Sequence, residues 1–216
     1  MSKEQRKVRH RLLVEWQKRE YFQYPAPQEL ISFMKEHKKI AYFVPFSKKV
    51  VLPCLRAERK AGSTDLLAYL CSYPDDDAFA QNCLSCFCAE ENIDFLQLSD
   101  FLYKTAPENT DFLRFRFRCL THSLSYCVHE LPIMLLDTEE EPPIEKEIED
   151  WRALAQRQGL DVNKQAEILH LLCDTWKKYT DMKKNADSFQ TFEAYLEREH
   201  VPWKSVFSAS FWLFEK

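Results

Sequence analysis

Three cysteines fall close together as Cys83-x2-Cys86-x-Cys88, the most metal-like cluster in the chain. Zinc takes four thiolate or imidazole ligands in a tetrahedron, usually delivered as two short-spaced pairs. A second half would have to come from His122, Cys127 and His129, and no second CxxC exists. On a helix turning about 100° per residue, Cys83 and Cys86 share a face while Cys88 points away from both. Phe87, between them, has the character of a core residue. The expectation is core packing for these thiols rather than a zinc site.

Two ExxH pairs follow, Glu167 with His170 and Glu197 with His200. The i, i+3 spacing sets a carboxylate and an imidazole on one helical face, as in di-iron bundles. A chain this rich in Glu generates such spacings by chance, and His200 stands at a helix end beside Pro202. Edge histidines are the plainer expectation. For thiol nucleophiles, Cys127 could pair with His129, or Cys173 with His170, but the base must reach the thiol in space. No GxSxG or local protease signature accompanies them. Cys173 lies in the apolar stripe Ile168, Leu169, Leu172, Trp176, where a thiol is inert packing.

Arg114, Arg116 and Arg118 alternate with Phe115 and Phe117. Such a ladder can offer guanidinium planes and rings to single-stranded nucleic acid. Core Phe and solvated Arg is the more ordinary arrangement and is expected here. The run Val206, Phe207, Phe211, Trp212, Leu213, Phe214 is expected to close the core rather than form an exposed docking patch.

Glycine limits the remaining chemistry. Only Gly62 and Gly159 occur in 216 residues, against about 7% in average proteins. Loops of the GxxxxGK[ST] and GxGxxG kind need glycine so that backbone can approach phosphate, and neither motif is present. P-loop NTPases, Rossmann enzymes and protein kinases are thereby excluded.

Charge is distributed unevenly. Residues 1–60 carry 15 Lys/Arg against 6 Asp/Glu, a balance of +9, while 61–111 carry 1 against 10, a balance of −9. Residues 112–216 hold 14 against 18, which brings the chain to its net −4. A basic block of this kind serves nucleic acid, an anionic surface, an acidic partner, or the protein's own acidic segment. The candidate binding residues are Arg6, Lys7, Arg9, Arg11, Lys38, Lys39, Lys48 and Lys49. In an adaptor the block is matched to protein carboxylates; in a nucleic-acid binder these side chains stand exposed on one face.

The elements that must position these groups read mainly as helix. Residues 3–22 place Val8, Leu12 and Trp16 at i, i+4, i+8, with cations on the other faces. A second helix spans 28–38. The segment 40–57 is β-branched and aromatic, and it leaves room for a small β hairpin, with Pro45 and Pro53 confining it to a sheet edge. Helices follow at 65–73, about 75–90 and 97–105. Residues 113–119 alternate as a strand would, yet helical spacing continues from Phe112 to Cys127, which favours helix. The acidic, Pro-containing stretch 137–147 is the candidate linker. Beyond it, helices are expected at 144–158, 161–184 with Asp161 as cap, and 188–200.

The fold class is therefore mainly α: an irregular helical domain with a possible small β element near 40–57. An N-terminal helical region with a basic first quarter, 1–136, precedes a C-terminal helical region, 144–216, and the two can belong to the same domain. Hydrophobic residues at 45% supply an ample core, and no apolar run approaches the roughly 20 residues of a membrane span. Without a secretory signal, the eight cysteines are expected to be reduced thiols in a cytoplasmic or nuclear setting. No cofactor is called for, and the balance leans against an enzyme, a metal-dependent one being the remotest alternative. The expected function is a helical interaction module or complex subunit with a protein partner, the alternative being nucleic-acid binding through 1–60.

Overall fold

A computed structural model describes residues 27–36, 47–72, 78–130, 144–184 and 191–212, together with positions 3, 6, 7, 10, 11 and 14 of an N-terminal helix. The protein is mainly α-helical, and there is no strand among the described residues. By chain contacts it forms two compact units, Met1–Phe115 and Arg116–Lys216. Of the candidate linker, 137–143 lie outside the described residues and 144–147 form the first turn of a helix.

The first unit contains α1 (Pro27–Glu36), α2 (Leu52–Ala61), α3 (Asp65–Cys71), α4 (Ala78–Glu91), α5 (Phe95–Thr105) and the start of α6 (Thr110–Glu130). A π-helical turn, Ser47–Val51, leads into α2 and packs on α2 and α4. Over 47–57 this corrects the possible β element, while 40–46 lie outside the described residues. The physical reason lies in burial. Val50, Val51, Leu52, Cys54 and Leu55 are all buried, and a segment enclosed on several sides reads as a continuous apolar run whether it is strand or helix. Pro53 sits in the first turn of α2, where its missing N–H would have had no helical acceptor.

Both glycines do one job. Gly62 (φ +72°) follows α2, and Gly159 (φ +71°) follows α7 (Ile144–Arg157). At each, the next residue's N–H returns to the carbonyl five positions back: Ser63 to Glu58 at 3.1 Å and Leu160 to Ala155 at 3.0 Å. That is the left-handed helix stop, which favours a residue without Cβ. Asn92 and His200 make the same stop after α4 and α9 (Phe192–Arg198), each with φ of 54°. Asn tolerates this region; His is a less common choice.

The second unit holds the rest of α6, α7, α8 (Asn163–Lys184), α9, and two 3₁₀ segments, Trp203–Phe207 and Ala209–Trp212. The strand-like alternation at 113–119 resolves as helix. Phe117, Leu120, Leu124 and Val128 bury one side of α6. α7 packs along α8 and α8 along α9. Trp151 on α7 is fully buried: it stacks on Phe117 at 5.9 Å, takes the edge of Trp212 at 6.3 Å, and donates its indole N–H to Thr121 Oγ1 at 2.9 Å. Val206 and Phe211 are buried too, so in its described part the C-terminal run closes this core. Asp161 accepts the Asn163 N–H at 3.1 Å at the head of α8. α9 begins later than 188, with Thr191 accepting the Ala194 N–H at 3.3 Å.

Candidate functional site

The chemistry-bearing groups picked out by spacing do not converge. Cys83 and Cys88 are buried on α4 among Leu84 and Phe87, and the Cys86 thiol donates to Asn82 Oδ1 at 3.4 Å. Cys88 donates weakly to the Asp94 carbonyl at 3.9 Å. Among the described residues, no group of three or more His, Cys, Asp or Glu is placed to hold a metal ion. The two ExxH spacings come apart as well. His170 turns to Glu149 on α7, Nε2 to Oε1 at 2.8 Å, and leaves Glu167 exposed. Glu197 takes Lys204 at 2.8 Å, and His200 is the exposed left-handed stop after α9.

Three of the thiols are poor nucleophiles. Burial pushes Cys173 up to about 12, with Glu145 adding to the effect. Burial, then Asp94, raises Cys88 to about 11, and burial, then Glu147, raises Cys127. A thiolate is the reactive form, and neutral pH leaves these groups protonated.

The Arg/Phe ladder is likewise not a ladder. Phe115 and Phe117 are core residues, Arg116 is itself buried, Arg118 is half-buried, and Arg114 is exposed. Neither Phe115 nor Phe117 is left for a base to stack on. A groove of about 600 Å³ follows the α7–α8 turn, lined in part by Glu149, Arg152, Gln156, Asp161 and Asn163. Its polar groups are engaged with protein: Arg152 Nε donates to Asn163 Oδ1 at 2.9 Å, and Glu149 holds His170.

One buried carboxylate went unremarked in the sequence. Glu58, only 2% exposed, lies in the last turn of α2 and reaches across the Gly62 turn to accept the Leu66 and Leu67 N–H groups at 2.6 and 3.3 Å. It satisfies the open first turn of α3. Burial raises its pKa, and the two backbone N–H bonds oppose that rise. The role is structural, and no short-range motif encodes it, because cap and helix lie on opposite sides of a turn.

The basic block divides in two. Arg56 grips Glu90 through two contacts, at 2.5 and 2.9 Å, and Arg59 pairs with Glu91. This part of the block is matched to the protein's own acidic segment. Other carboxylates of that segment are engaged locally: Asp65 by Gln28, Asp94 in the capping box of α5, and Asp100 by Lys104. Of the candidate binding residues, Arg6, Lys7, Arg11, Lys48 and Lys49 are exposed, while Arg9, Lys38 and Lys39 lie outside the described residues. Arg6, Lys7 and Arg11 share one helical face with Lys3 and His10, which are also exposed. At about 100° per residue these five positions cover an arc of about 140° and extend about 12 Å along the axis. Sequence reasoning missed Lys3 and His10, although the i, i+3 and i, i+4 spacings to Arg6 and Lys7 were there to be read. Among the described residues, no carboxylate pairs with Lys3, Arg6 or Lys7.

No protein-family model, curated protein or solved structure matches the chain.

Proposed function

We propose that the chain is a non-enzymatic helical interaction module, a subunit or adaptor, that docks an anionic macromolecule on the basic face of its N-terminal helix. One observation carries the reading: the pairing of charge is lopsided. Asp65, Glu90, Glu91, Asp94 and Asp100 of the acidic segment are engaged within the fold, whereas Lys3, Arg6 and Lys7 are exposed with no acidic partner among the described residues. The reading is further supported by the dispersal of the metal-like and nucleophile-like groups into core packing and separate surface pairs. A cytoplasmic or nuclear setting belongs to the same proposal, since all eight cysteines are free thiols.

The test is retention on immobilised heparin, a generic polyanion, for wild type and the triple variant K3E/R6E/K7E. Wild type is expected to bind at low salt and elute as salt rises, with the variant eluting much earlier at unchanged helicity. Equal elution of the two proteins, or no retention of either, would remove the reading.

A further inference from the structure

We draw no further inference here: the strongest candidate, the pair of outward helix faces in the second unit on which Tyr126 of α6 and Leu171 of α8 stand exposed, carries nothing, because nothing in the structure shows what covers either face.

Discussion

Glu58 shows how one side chain can decide a local structure and its response to pH. Its carboxylate sits in a buried corner and accepts two N–H groups of the next helix. Removing it leaves those donors without their acceptor, so Glu58→Ala is expected to cost about 1–3 kcal/mol. The pH dependence runs opposite to that of a surface salt bridge. Burial raises the carboxyl above its ordinary 4.5, so the folded protein holds this proton more tightly than the unfolded chain. Stability from Glu58 is then fully present below 4.5 and is lost as pH rises from there through the raised folded value. Urea unfolding from pH 7 down to pH 5 should show wild type gaining more stability than Glu58→Gln, which cannot titrate. Parallel profiles would show that Glu58 is not perturbed. Glu147 is raised by burial in the same sense, and Ser123 and Arg116 oppose the rise.

At the scale of elements, helix ends carry a clear energetic signature. Among the described residues, the left-handed stop is made with Gly twice, with Asn once, and with His200 after α9. A side chain at positive φ costs about 1–2 kcal/mol, part of which glycine returns through its freer unfolded state. His200→Gly is therefore expected to stabilise the protein by about 0.5–1 kcal/mol. Gly62→Ala should cost about 1 kcal/mol; nothing lies within 4 Å of the added Cβ, so the loss is backbone strain alone. Chemical denaturation of both variants checks the pair, and a destabilised His200→Gly would mean that the imidazole makes a contact worth more than the strain. Many of the elements could be read in the sequence, because 3.6-residue spacing survives wherever a helix has one wet face: α1, α7 and α8 fall where their apolar stripes place them. Residues 113–119 carried both periods, and the longer one won. The segment 47–57 misled because it is buried on several sides, which erases periodicity. The ExxH spacings were also visible, but which carboxylate an imidazole meets depends on the neighbouring helix, and His170 meets Glu149.

Across the whole molecule, charge is the property that sequence and structure describe in common. The sequence shows a basic first quarter beside an acidic second; the structure divides the basic part into cations that lock α2 to α4 and cations that face solvent. Only that division indicates which of the candidate residues are left for a partner, and it depends on which acids Arg56 and Arg59 reach across the fold. The remaining candidates act, on this account, as a single helical face. Amide hydrogen exchange followed by mass spectrometry, with and without a saturating heparin oligosaccharide, locates the docking surface directly. The account predicts slowed exchange over residues 3–14 and little change elsewhere. Protection centred on α5, α6 or α8, where Phe101, Tyr126 and Leu171 are exposed, with none over residues 3–14, would contradict it.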